Sequence, residues 1–388
     1  MPERAPGVPR GLDDRRLLVE LQSLGVRVRD ETNRSLPGRR GGAGPSDALF
    51  LWVRGLPLTV PSHAAYVDAS PYTLHIDGRR STLYRDGEAI GPVTVPPRPR
   101  IYDMRTADGV PYWKIALLHL DSIASTVVQK CIYWDTPEQC GFCGIELTRG
   151  EQTVPVKTPA QLAEVCTAAR DLDHAVDVTL TTGSLNRRDR GAVYISRCAA
   201  AIKEACGLPI QVQFEPPDDL RVLDEVHRAG VDAVGIHSET FDPDVLARVA
   251  PGKAQCGIEG YFATWERAVE VFGRGHVTTY VLLGMGERPE LILQGCRRAI
   301  AMGVYPFVVP LRPVPGTLMA DVPTPDPDYV ARIYGEVAAM LADAGFDHLE
   351  AKAGCARCQA CSGLSAWERV LGRQNGTEVH ELVAGARR

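Results

Sequence analysis

Residues 125–143 read Ser-Thr-Val-Val-Gln-Lys-Cys-Ile-Tyr-Trp-Asp-Thr-Pro-Glu-Gln-Cys-Gly-Phe-Cys, an apolar, β-branched run that empties into a loop bearing Cys131, Cys140 and Cys143. The run predicts a strand over Ser125–Lys130. Three thiolates in one loop can hold three corners of a four-iron cluster and leave the fourth iron open to a small molecule. Redox chemistry is therefore the first functional reading. Zinc competes for the same thiols, with His119 or His174 as fourth ligand. Zinc sites usually pair two cysteine knuckles, and this loop contains one Cys-x2-Cys.

Downstream, the strand–loop–helix rhythm repeats. Strands are expected at Asp177–Thr181, Pro209–Phe214, Ala233–His237, Thr278–Leu283 and Phe307–Leu311. Helices are expected at Pro159–Arg170 (Thr158 as N-cap), Ala192–Ala205, Leu220–Arg228, Ile258–Phe272 and Glu290–Met302, with a last one near Asp328–Ala344. Six such units predict an α/β fold, a partial (β/α)6 TIM-like barrel with a parallel sheet, and sites in that class gather at the carboxyl ends of the strands. Polar or glycine-rich segments follow each strand there: Thr181-Thr-Gly-Ser, Glu215-Pro-Pro-Asp-Asp, Ser238-Glu-Thr, Gly284-Met-Gly-Glu and Leu311-Arg-Pro. The barrel is expected over residues 113–350. Residues 1–112 form an N-terminal α+β region with a helix from Leu17, a loop over Leu36–Pro45, short strands at Ala48–Val53 and Tyr72–Ile76, and a turn at Asp77–Gly78. The Gly41-Gly-Ala-Gly segment lacks the Lys-Ser/Thr ending of a phosphate loop. Residues 351–388 form a Cys-rich tail.

A net charge of -5 gives no general attraction to nucleic acid or anionic lipid. No apolar run approaches the ~20 residues that span a bilayer, and the first residues have no apolar signal core, so a cytoplasmic location is expected. Eleven cysteines in such a chain favour metal binding over disulfides. Cys166, Cys198, Cys206, Cys256 and Cys296 are scattered through helical segments and read as core residues.

The cysteine loop and the rim segments together resemble the radical S-adenosylmethionine (SAM) superfamily over about residues 115–320. Phe142 stands where that family has an aromatic residue before its last cysteine. The first gap is eight residues, where the family usually has three. The resemblance implies that Cys131, Cys140 and Cys143 ligate a [4Fe–4S] cluster. It implies that Thr182, Gly183 and Ser184 meet the SAM amino group, although the usual Glu is missing from that segment. Glu239 would contact the SAM ribose or carboxylate, and Arg248 and Lys253 would pair with the carboxylate. Gly284 and Gly286 would let the adenine approach, and Arg312 would face ligand from the sixth strand. The expanded loop and the Cys-rich end most resemble the radical SAM proteins encoded beside nitrilases in bacterial gene clusters, with a barrel like those of biotin and lipoyl synthases.

Cys355, Cys358 and Cys361 repeat the Cys-x2-Cys-x2-Cys spacing of ferredoxins without a fourth cysteine, and predict a second, auxiliary iron–sulfur cluster. Zinc with a distant His380 is the alternative. The expected function is reductive cleavage of SAM to a 5′-deoxyadenosyl radical that abstracts hydrogen from a small-molecule substrate, with sulfur insertion, rearrangement and dehydrogenation all open as outcomes. Its expected partner is a reductant such as flavodoxin or ferredoxin; membrane is not expected, and nucleic acid is disfavoured by the acidic balance. The rival reading is a non-catalytic iron–sulfur or zinc protein, an electron carrier or scaffold.

Overall fold

The computed structural model describes residues 13–30, 48–77, 80–148 and 151–374. The Leu36–Pro45 loop with its Gly41 segment, Gly78 of the expected turn, and His380 lie outside the described residues.

The chain opens with α1 (Asp14–Leu24), whose N-terminus is capped by the Asp13 carboxylate accepting from the Arg15 amide. Then come β1 (Arg27–Asp30), the hairpin β2 (Ala48–Val53) and β3 (Leu56–Pro61), and the meander β4 (Tyr72–Asp77), β5 (Arg80–Arg85) and β6 (Glu88–Val93). β1 joins the meander in parallel beside β4.

The main sheet follows, from β7 (Leu117–His119), β8 (Ser122–Thr126), β9 (Asp177–Thr181), β10 (Ile210–Gln213), β11 (Ala233–Gly235), β12 (Val277–Leu283) and β13 (Val304–Pro310), in the order 13-12-11-10-9-8-7. β8 to β13 are parallel neighbours in sequence order, and β7 lies antiparallel on the edge. Helices return the chain between them: α2 (Pro159–Asp173), α3 (Ala192–Cys206), α4 (Val222–Arg228), α5 (Pro243–Val249), α6 (Pro251–Ala254), α7 (Gly257–Phe272) and α8 (Pro289–Met302). The result is an α/β fold with a curled, half-barrel sheet. α2 starts as its sequence dictates, with a Thr158–Gln161 capping box and Pro159 in the first turn.

Alternation along the strands decides what the barrel contains. Val178, Leu180, Ile210 and Val212 belong to the buried apolar core. Residues of opposite parity form a polar inner surface, in which Gln211 donates to Thr278 and Gln213 to Gln211.

Three expectations change. The first strand is Ser122–Thr126 instead of Ser125–Lys130: it starts earlier, paired with β7 and β9. Beyond Thr126, Val127 still donates to Thr181 and Val128 still accepts from Gly183, while a second partner comes in on the other side. Lys157 donates to the Val127 carbonyl, Gln129 donates to Pro155, and Val128 bridges Val156. The edge strand β7 and the short helices α5 and α6 are additional. His119 and His174 cannot complete a site with the Cys131 loop. His119 faces Ser122 at the start of β8 with its ring on Phe50, and His174 caps the C-terminus of α2 just before β9. Both lie at the opposite end of the sheet from Cys131.

After β13 come α9 (Pro327–Asp343), α10 (Cys355–Cys358) and α11 (Leu364–Gln374). The tail enters the base of the barrel. Gly354 donates to Asp177, and Arg357 pairs with Asp177 at 2.7 Å and Asp121 at 2.6 Å. It then runs beside β13, where Gln359 donates to Tyr305 and Ser362 to the Val308 carbonyl. The β2–β3 hairpin covers the gap between the sheet's two edges. Phe50 meets His119 of β7, while Thr59 donates its amide to Ala360 and accepts from Arg312 just beyond β13. α1 packs on β3, α9 and α11, so one contiguous apolar core runs from Leu17 to Trp367.

Candidate functional site

The three loop cysteines hang from the carboxyl end of β8. The eight-residue gap is taken up by successive tight turns, Trp134 donating to Cys131, Thr136 to Tyr133 and Gln139 to Thr136. Tyr133 is the plug of this loop, fully buried against Gly252 of α6, with its hydroxyl accepting from Arg190. Beyond the gap, Gly141 donates to the Val249 carbonyl and accepts from Met319. The loop is thus tied both to the end of α5 and to the segment after β13.

Cys131 sits in a polar cradle. Its own amide donates to Glu146 at 2.8 Å, and the amides of Tyr133 and Ser184 turn toward its sulfur. The next turn of chain donates from Ile132 to the Ser184 carbonyl. Gly183 explains why this segment approaches so closely: a Cβ there would stand 2.0 Å from the Lys130 carbonyl oxygen. Thr182 is turned aside, its hydroxyl bonded to the Gly183 carbonyl.

Glu239 and Lys253 form a buried ion pair, Oε1 to Nζ 2.6 Å, and Lys253 also donates to the His237 carbonyl. Burial pushes the Glu239 carboxyl up, against the pull of Lys253. Burial would release the Lys253 proton, but Glu239, Tyr261, Glu215 and Cys140 together outweigh it and keep the ammonium charged. Lys253 acts on all three loop thiols and favours their ionised form, whereas burial holds each of them up, Cys143 to about 12. Glu215, at the end of the third parallel strand, faces the same group.

The remaining expected residues divide. Gly284 and Gly286 take φ of 102° and 87° in a loop wrapped around Glu287, whose carboxylate accepts from the amides of Gly284 and Met285. Arg248 donates to the Met285 carbonyl, away from Lys253, and lines a cleft of about 330 Å³ with Gly141, Val249, Met285 and Met319. Arg312 joins the tail: its guanidinium bonds Thr59 and acts on Cys361.

The tail cysteines gather lower in the barrel. Cys355 accepts from the Tyr280 hydroxyl at 3.1 Å and from Gln213 at 3.3 Å, Thr59 lies 3.8 Å from Cys361, and Cys358 and Cys361 influence one another. Burial pushes the Cys355 thiol up to about 12. Ser362, next to the triplet, is engaged with Val308 and the Leu364 amide. Among the described residues no three His, Cys, Asp or Glu side chains are gathered to hold a single metal ion. Between the triplets stand His237 and Tyr280, ring centroids 4.6 Å apart, with the Tyr280 amide donating to Nδ1 of His237. His237, Lys253, Tyr280, Cys143 and the tail cysteines lie deep in the protein yet keep part of their surface uncovered, so they border an interior hollow. His237, Tyr280, Gln213 and Glu146 were not singled out by sequence. The signal that would have found the first three is parity along the strands, measured from Gly235, Thr278 and Gln211.

The sequence model of the radical SAM superfamily matches residues 137–294. The match begins inside the expanded gap, so it includes Cys140 and Cys143 and stops short of Cys131. A bacteriochlorophyllide c C-7(1)-hydroxylase from Chlorobaculum limnaeum is 26% identical over 229 residues, 54% of this chain. The chain spans little more than half of that relative's length, 57%. Among solved structures, methylornithine synthase superposes with a TM-score of 0.44 at 17% identity, covering 56% of this chain and 60% of that one. A radical SAM methyltransferase from Sphaerobacter thermophilus gives 0.43 at 15% identity, over 70% and 75%. Residues 137–294, less than half of the chain, are thus similar to the radical SAM superfamily. Among the described residues no helix is long and apolar enough to cross a membrane.

Proposed function

We propose that this chain is a radical SAM enzyme that abstracts hydrogen from a small molecule held inside its half-barrel. The observation that carries the reading is the convergence of Cys131, Cys140 and Cys143 with Lys253, Glu239 and Glu215 at the carboxyl rim of the parallel sheet. When bound there, a cluster and SAM supply an electron and a carbon radical strong enough to break a C–H bond.

The residues present fit those groups. Three thiols hold the cluster, and the nearby ammonium of Lys253 favours their thiolates. The amides of Tyr133 and Ser184 stabilise the Cys131 thiolate. Glu239 is the acceptor for the SAM hydroxyl or amino groups, and Lys253 orients it. The apolar cleft at Gly141, Val249, Met285 and Met319 suits the adenine ring, with Gly284 and Gly286 shaping the loop beside it. The barrel wall, the tail and the β2–β3 hairpin keep water from a reactive intermediate. Cys355, Cys358 and Cys361 hold an auxiliary iron–sulfur cluster facing the same hollow, and a small redox protein supplies electrons.

Anaerobically reconstituted protein with SAM and dithionite should yield 5′-deoxyadenosine, and Cys140→Ala should abolish it while leaving the fold intact by circular dichroism. Colourless protein holding zinc and yielding no 5′-deoxyadenosine would favour a scaffold instead.

A further inference from the structure

Two strands of the half-barrel send side-chain donors to one sulfur. Tyr280 of β12 donates its hydroxyl to Cys355 at 3.1 Å, and Gln213 of β10 donates Nε2 to the same atom at 3.3 Å. The orientation of the Gln213 amide is fixed by its neighbours. The Cys355 amide donates to Gln211 at 3.3 Å, so the Gln211 atom facing it must be Oε1. That oxygen also meets Gln213 at 3.0 Å, and the Gln213 atom there must then be the nitrogen that continues to the sulfur. The backbone of the first tail cysteine thereby aims a donor at its own side chain.

Tyr280 is held as firmly. Its ring lies against His237 and Phe307, with centroids 4.6 and 5.0 Å away, and its amide is bonded to Nδ1 of His237. Burial raises the Cys361 thiol, and Arg312, Thr59 and the Tyr280 hydroxyl oppose it by favouring the thiolate. A neutral thiol is a weak acceptor and brings a proton of its own. Two donors converging on one buried sulfur suit a thiolate, free or metal-bound, whose charge they stabilise. The loop triplet is served differently. There, backbone amides do this work, those of Tyr133 and Ser184 at Cys131 and that of Ile145 at Cys143. At Cys355 the donors are side chains, supplied by strands remote from it in sequence.

We propose that Tyr280 and Gln213 are positioning residues that act through Cys355 to raise the reduction potential of the iron–sulfur cluster proposed for the tail. This rests on the auxiliary-cluster reading above and adds what sets the redox behaviour of that site. Reduction adds negative charge that is shared by the cysteine sulfurs, so a donor on a sulfur stabilises the reduced form more than the oxidised one. Removing the donor lowers the potential.

The test is an anaerobic redox titration of full-length, reconstituted protein followed by electron paramagnetic resonance. The tail signal is the one missing from a Cys355→Ala/Cys358→Ala/Cys361→Ala variant. Tyr280→Phe keeps the ring and removes the hydroxyl. It is expected to lower the tail midpoint by about 59 mV, equivalent to a tenfold change in a one-electron equilibrium, with iron content and the loop-cluster midpoint unchanged. Gln213→Leu should shift the tail midpoint in the same direction. A purely structural role would change iron content or thermal stability and leave the midpoint where it was. An unchanged or raised tail midpoint in both variants overturns the proposal, and so do equal shifts at both clusters. If Tyr280→Phe folds without tail iron, Gln213→Leu decides by the same criterion. Loss of tail iron in both variants shows that the donors serve binding instead of potential, which also overturns it. Wild-type protein with iron at the loop and none at the tail overturns the auxiliary-cluster reading itself. Tail iron whose midpoint ignores both substitutions overturns this inference alone.

Discussion

Glu239 adopts φ 68°, a left-handed conformation that costs a non-glycine residue about 1–2 kcal/mol. Its amide donates to Tyr280 and its carbonyl accepts from Leu282, so β12 holds the kink in place and aims the carboxylate at Lys253. Strain held in this way by neighbouring strands points to a positional requirement at that carboxylate. Removing one member of the pair leaves the other buried and unpaired, so Glu239→Gln or Lys253→Met should each lower unfolding stability by about 3–5 kcal/mol in urea titrations. The double variant Glu239→Leu/Lys253→Met should recover much of that loss, and single losses under about 1 kcal/mol would remove the pair from the argument. Asp242, three residues on, gives a pH signature. Arg288 grips its carboxylate with two bonds of 2.7 Å and holds its pKa well below the unfolded value of about 3.9. The native state then binds fewer protons than the unfolded state between the two values, so this stabilisation is complete above about pH 4, declines below it, and is lost as pH falls through the depressed native value. Acid unfolding of Asp242→Asn should lack that part of the slope. That the loop cysteines, Glu239 and the two rim glycines stand at the carboxyl ends of the strands was legible because motif and spacing are local. His237 and Tyr280 were not, because their convergence depends on register across strands far apart in sequence.

At the scale of elements, the tail is fixed by its own motif. Arg357 lies between Cys355 and Cys358, and its guanidinium reaches Asp177 at the foot of β9 and Asp121 before β8. Asp177 is fully buried, and burial raises its pKa despite the arginine. Arg357→Ala would therefore strand a buried carboxylate, at a cost of about 3–5 kcal/mol. The expected outcome is local: faster hydrogen exchange over residues 353–364 and loss of the iron proposed for the tail, with the iron proposed for the Cys131 loop retained. Uniform exchange across the whole chain, or retention of all iron, would show that the tail docks by other means. The strand–helix alternation was readable from hydrophobic period and caps, as the Thr158–Gln161 box shows. The displaced first strand was not, since Val127 and Val128 are as β-prone as the residues before them and its bounds depend on partners distant in sequence, β9 on one side and Pro155–Lys157 beyond Thr126.

For the whole molecule, the hollow is closed by parts that the sequence sets at opposite ends of the chain. The half-barrel leaves a gap between β13 and β7, and the β2–β3 hairpin and the tail fill it together through Thr59, Ala360 and Arg312. Composition in residues 1–112 gave no hint of this, because a hairpin that closes a barrel and one that decorates it have the same alternation. The apolar ledger makes the point testable. Leu17, Leu18, Leu21 and Leu58 are fully buried, in one core with Tyr334 of α9 and Leu364 of α11. Each leucine contributes about 1.5–3 kcal/mol by leaving water, against a net stability of about 5–15 kcal/mol for a folded domain. A chain beginning at residue 113 should therefore expose the faces of α9 and α11, aggregate on expression, and hold no iron at the tail triplet. Supplying residues 1–112 as a separate fragment should restore soluble, iron-bearing protein, since the hairpin's contacts with Arg312 and Ala360 need no peptide bond to Ile115. A soluble 113–388 protein with the thermal midpoint and iron content of the full chain would show instead that the barrel closes without its N-terminal region.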